Sequence, residues 1–143
     1  MKKAFIIAEA GVNHNGKISL AKKLIDKAKI SGADAIKFQT FLPEELTTKM
    51  VKTAKYQAKS GITQQKLLSN LSLNFKEFVK LKNYCKKKKI VFLSSGFDLD
   101  SLKFLIKLNL KFEFPYDFIL CGKKITFVNL FYLKQILLII LVH

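Results

Sequence analysis

Five polar positions stand at the ends of short apolar runs: Glu9, Lys37, Gln39 and the pair Ser94-Ser95. If those runs are parallel strands, their C-terminal ends and the loops beyond form a rim where side chains meet a ligand. Lys37 and Gln39 are two apart on one strand and therefore share a face. A carboxylate, an ammonium, an amide and hydroxyls at one rim suit an anionic, hydroxyl-rich ligand. Lys37 can neutralise a phosphate or carboxylate as a point charge. Ser95 can donate to phosphate oxygens, and Glu9 and Gln39 can hold sugar hydroxyls.

Each position has a plainer alternative. Glu9 could be an ion-pair partner facing a helix, and Lys37 could carry its amine out to water along the strand end. Ser94-Ser95-Gly96 could be a simple strand-to-helix turn. His14 reads better as a turn-stabilising hydrogen bonder than as a metal ligand, because no second imidazole lies near it in sequence. Tyr84-Cys85 reads as core packing.

The elements that must position these residues follow from periodicity. Ala4 to Ala8 is a strand apolar on both faces, closed by Glu9, and Gly11 to Gly16 is a turn. Ser19 is placed to cap a helix whose apolar face is Leu20, Leu24, Ile25 and Ala28, with Gly32 ending it. Ala35 to Gln39 is the second strand. A long connection over 40–73 contains the breakers Pro43 and Gly61 and a short helix near 64–71. Asn74 with Glu77 forms a capping-box start for a helix burying Phe75, Phe78, Val79 and Cys85. Ile90 to Leu93 is the third strand, 99–108 a further helix, and 110–114 a fourth strand. Repeated βα units of this kind predict an α/β fold with a parallel sheet.

The formal charge is +16, yet all 26 basic residues are Lys and none is Arg. Arg supplies the planar fork that grips phosphates and reads guanine edges. Scattered lysine, dense only at Lys86 to Lys89, reads as solvated helix faces, so neither nucleic acid nor a membrane is the expected partner. The alternative is a non-enzymatic, lysine-rich fragment that binds acidic surfaces. Residues 125–142 are almost continuously apolar, with Lys134 and Gln135 interrupting, short of the about 20 apolar residues a membrane helix needs. A greasy terminal helix is expected there. The two cysteines, Cys85 and Cys121, have no metal-type spacing, and the expected compartment is the reducing cytoplasm.

Three strings then carry a resemblance. Ile6-Ile7-Ala8-Glu9-Ala10-Gly11-Val12-Asn13-His14-Asn15-Gly16 resembles the opening motif of the sialic-acid synthase (N-acetylneuraminate synthase) family. Gly32-Ala33-Asp34-Ala35-Ile36-Lys37-Phe38-Gln39-Thr40-Phe41 is similar to its second signature, and Phe92-Leu93-Ser94-Ser95-Gly96-Phe97-Asp98 to its third. The resemblance implies a TIM-barrel synthase that condenses phosphoenolpyruvate with N-acetylmannosamine or a related amino sugar. The products are a nonulosonic acid and phosphate. It implies that Glu9 contacts the sugar and assists proton movement, and that Lys37 and Ser95 hold phosphoenolpyruvate. Gln39 would contact the sugar and Phe97 would line its pocket. Gly96 stands where the family has Pro. A divalent ion, Mn²⁺ or Mg²⁺, and a homodimer are further implications.

Beyond Leu110 the match fades. A complete barrel takes about 250 residues, and this chain has 143. The expectation is the N-terminal half of a TIM (β/α)8 barrel over 1–110, followed by a degenerate, irregular apolar tail over 111–143. The later strands that carry the family's metal-ligating His residues are not in this sequence, so no metal ligand is expected here and the chain alone is expected to be inactive.

Overall fold

The computed structural model describes residues 5–47, 63–110 and 138–141. The elements run β1 (Ile6–Gly11), α1 (Ile18–Ile30), β2 (Ala35–Thr40), α2 (Pro43–Leu46), α3 (Gln64–Leu71), α4 (Phe75–Lys88), β3 (Val91–Gly96), α5 (Leu99–Lys107) and β4 (Leu138–Leu141). The sheet order is β3-β2-β1-β4, with every pairing parallel.

Alternation along each strand divides the sheet into two faces. Ala8, Ala10, Ile36, Phe38 and Phe92 face the helices, where they pack with Leu24, Ile25 and Ala28 of α1 and Phe78, Leu81 and Cys85 of α4. Phe38 and Phe92 stack across adjacent strands with ring centroids 5.7 Å apart. The opposite face has a smaller apolar floor of Ile7, Ala35 and Leu93, flanked by Phe5 and Val91. Asp34 knits the lower end of the sheet. Its carboxylate accepts from Ile6 N–H at 2.8 Å, and its carbonyl accepts from Val91 N–H at 3.0 Å.

The helix ends follow local chemistry. In α1, Gly32 adopts φ +80°. Its N–H bonds Lys29 C=O, and the Ala33 N–H bonds Ala28 C=O, the paired bonds of a left-handed helix stop. The Asn74–Glu77 capping box forms in full. Tyr84 packs against the core, while its hydroxyl donates to Asp26 of α1, which also pairs with Lys88 at 2.7 Å.

Several expectations need correction. Ser19 does not cap α1; the helix starts at Ile18 after Lys17, and no side chain caps it. Leu20 is only partly buried, and Ala21 takes its place in the core. Val79 is 38% exposed, because the buried stripe of α4 runs through Phe78, Leu81 and Cys85. Each of the three sequence-predicted strands also runs further at its C-terminal end, so Glu9, Ser94 and Ser95 lie inside strands. The tail was expected to be helical and irregular, but residues 138–141 form β4. They pair Ile6↔Leu138 through Glu9↔Leu141 along the edge of β1 that β2 does not cover. The sequence-predicted strand at 110–114 lies outside the described residues apart from Leu110, which is not in a strand.

Candidate active site

The site is built on the strand face opposite the helices. Register aligns Glu9 of β1 with Lys37 of β2 and Leu93 of β3. One pleat further on, Gln39 stands opposite Ser95. The same face therefore changes from the apolar floor of Ile7, Ala35 and Leu93 to a polar upper tier of Glu9, Lys37, Gln39 and Ser95. That tier lies toward the C-terminal ends of the strands.

The contacts within this tier are short. Lys37 Nζ lies 3.2 Å from Glu9 Oε2, and both side chains are only 17% exposed. The β1 ladder shifts between Glu9 and Gly11, with Gly11 at φ +51°. A Cβ placed on Gly11 would stand 3.7 Å from both Glu9 Oε1 and Gln39 Nε2. The acid and the amide thus flank the same point on the backbone. Ser95 is buried. Phe97 is half-buried one residue past β3, its N–H donating to Thr40 C=O at 3.0 Å. The pairing Glu9–Lys37 agrees with the plainer ion-pair reading as well as with a ligand role, since a free site must neutralise its own charges.

The two serines part company. Ser94 points to the helix-covered face, where its Oγ meets Thr40 Oγ1 at 2.7 Å. Ser95 points to the tier with Gln39. His14 is fully buried beneath the turn that follows β1, with its ring 6.0 Å from that of Phe38. Its Nδ1 accepts from Gly16 N–H at 3.1 Å, which makes it a turn-stabilising group, and Nε2 has no hydrogen-bond partner among the described residues. Burial pulls its pKa down to about 4, against a smaller opposing effect from Glu77.

Two further residues matter that spacing did not single out. Asp98, 6% exposed, accepts from Leu42 N–H, Ser101 N–H and Ser101 Oγ–H, each at 2.7 Å. The signal was present, as an Asp three residues before a Ser at the head of an apolar helical run. Gly11 matters through its backbone, which a strand-and-turn reading treats as loop. The Mn²⁺ or Mg²⁺ implied by the resemblance finds no fitting donor set here. No three His, Cys, Asp or Glu side chains gather among the described residues. His14 has already committed one ring nitrogen to Gly16. No helix among the described residues is long and apolar enough to cross a membrane.

Comparison with known proteins places this arrangement. The NeuB family profile matches residues 24–113. An N,N'-diacetyllegionaminic acid synthase of Legionella pneumophila is 48% identical over 110 residues, covering 75% of this chain and 31% of the relative. The enzyme of the same name from Campylobacter jejuni is 45% identical over 140 residues, 95% of this chain and 40% of its own length. The crystal structure of N-acetylneuraminic acid (sialic acid) synthetase from Leptospira borgpetersenii superposes with a TM-score of 0.61 at 34% identity. That match covers 76% of this chain and 34% of that one. The chain thus spans between about a third and two fifths of the length of these relatives. On this evidence the chain belongs to the NeuB family, the family of sialic-acid synthases.

Proposed function

We propose that this chain forms the first part of a TIM-barrel nonulosonic-acid synthase and carries part of its substrate rim. The reaction is the condensation of phosphoenolpyruvate with N-acetylmannosamine or a related N-acetyl amino sugar. The observation that carries this reading is the 3.2 Å Glu9–Lys37 pair, held on the sheet face opposite α1 and α4 beside Gln39 and Ser95. In the reaction, C3 of phosphoenolpyruvate attacks the aldehyde carbon of the open-chain sugar, water adds at C2, and the C–O bond to phosphate breaks. Lys37 neutralises the phosphoenolpyruvate anion, and the Ser95 hydroxyl donates to it. The Lys37 ammonium has three donors and can hold the ligand anion while keeping Glu9, so neither buried charge is left unpaired. Glu9 faces the sugar with Gln39 and can hold or move a hydroxyl proton. Phe97 offers an apolar wall to the sugar. The divalent ion of the family would polarise the aldehyde; its ligands are not among the described residues, and no step here depends on it.

Calorimetric titration of the chain with phosphoenolpyruvate tests this reading. Saturable binding that is lost in Lys37→Ala and weakened in Ser95→Ala is expected. Binding that is indifferent to Lys37, alongside salt-sensitive adsorption to anionic polymers of any sequence, would instead support a lysine-rich module for acidic surfaces.

A further inference from the structure

We infer that Asp98 is a positioning residue for the phosphoenolpyruvate site, holding the ends of β2 and β3 together so that Ser95 and Gln39 face one ligand. This rests on the reading just proposed. Above the pair Thr40↔Gly96 the β2–β3 ladder ends, and Phe97 N–H makes one more bond to Thr40 C=O. The next rung is supplied by a side chain. Asp98 Oδ2 accepts from Leu42 N–H at 2.7 Å, while Oδ1 caps α5 through Ser101 N–H at 2.7 Å. One nearly buried carboxylate thus ties the loop after β2 to the first turn of the helix after β3. Ser101 Oγ–H also donates to Oδ2 at 2.7 Å, on the side of α5.

The clamp matters because it extends the tie between the two strands past the Phe97 bond, over a turn that begins with glycine. Gly96 carries no side chain to restrict it, and α5 presses close behind, with Leu102 N 3.1 Å from where a Gly96 Cβ would be. Ser95 directly precedes this glycine. Without the clamp, the turn beyond Ser95 and Gln39 is held to β2 only through Thr40, by the Phe97 N–H bond and the last rung of the ladder, and the placing of Ser95 loosens. A misplacement of about 1 Å in a positioned group can cost about a hundredfold in function.

Two substitutions separate the clamp from the helix cap. Asp98→Asn and Asp98→Ser both retain a good N-cap for α5. Asn turns its carbonyl to Ser101 N–H and sets an NH₂ group against Leu42 N–H, and Ser is too short to reach Leu42. Phosphoenolpyruvate affinity is expected to fall about tenfold in both. Amide exchange should quicken at Leu42 and stay slow at Ser101, with the thermal midpoint little changed. Ser101→Ala, which spares the Leu42 bond, should bind within about twofold of the parent. Parent-like affinity in both Asp98 variants, or a lowered midpoint with affinity intact, would overturn the inference and leave Asp98 a purely structural cap. Failure of the parent chain itself to bind phosphoenolpyruvate, with Lys37→Ala as the control, would refute the synthase reading and the inference together.

Discussion

Acid should destabilise this protein through one imidazole. His14 is fully buried, and its pKa is drawn from 6.5 to about 4 by desolvation. In the unfolded chain the same ring binds its proton near the ordinary value. Between these two pKa values the unfolded state holds more protons, so stability falls as the pH drops through this window and levels off below about 4. Carrying the chain from about pH 7.5 to about pH 4.5 should cost about 2.5 kcal/mol from His14 alone. His14→Asn places an amide oxygen where Nδ1 accepts from Gly16 N–H and removes the titration. Urea unfolding of both proteins at the two pH values isolates the effect, because carboxylate contributions are shared. The variant should be the less stable protein at neutral pH and the less pH-sensitive one. Parallel pH dependences, or a native His14 ring that titrates near 6.5 by NMR, would refute the reasoning.

Gly16 adopts φ +64°, and an added Cβ would lie 2.3 Å from the Asn70 carbonyl oxygen. Gly16→Ala should therefore cost more than about 2 kcal/mol in denaturant unfolding. Lys89 occupies the left-handed region at φ +55° just after α4, and its contact with Lys29 uses only its carbonyl. Lys89→Gly should raise stability by about 0.5–1 kcal/mol, read as a higher unfolding midpoint. Cys85 is fully buried, with its thiol pushed up to about 12. In a Cys121→Ser background, a thiol reagent should label Cys85 only as denaturant unfolds the chain, and rapid labelling of the native protein would contradict this.

Most of the βα rhythm was readable because apolar spacing and caps agree. Leu24, Ile25, Ala28, Gly32 and the Asn74–Glu77 box all do in the structure what their residue types favour. The errors share a cause. Hydrophobic pattern reports burial, whereas a strand is defined by its backbone bonds, and on this face the bonds outlast the apolar residues. Glu9 therefore reads as the close of its strand and Ser95 as lying past its own, although both sit within the ladder. Val79 was misplaced because a spacing of four from Phe75 fits the helical period, yet the stripe that meets β-strand residues passes one side of it. The candidate tier itself could be assembled from spacing, since Lys37 and Gln39 share a strand. The Asp98 bridge could not, because Leu42 lies 56 residues away in sequence. The strand at 138–141 pairs with residues more than 130 positions earlier, and no local pattern announces such a partner.

The neighbouring serines of β3 carry one last implication. A slip of a single residue would turn Ser94 toward the ligand side and bury Ser95 among the helices, with two hydroxyls so alike that hydropathy alone would scarcely object. What resists the slip is the burial of Phe92 against Phe38, together with the 2.7 Å bond between Thr40 and Ser94 on the same far side of the sheet. Fidelity of the candidate tier is thus guarded from behind, and substitutions at Thr40, on the opposite face, should weaken phosphoenolpyruvate binding much as a substitution at Ser95 itself would.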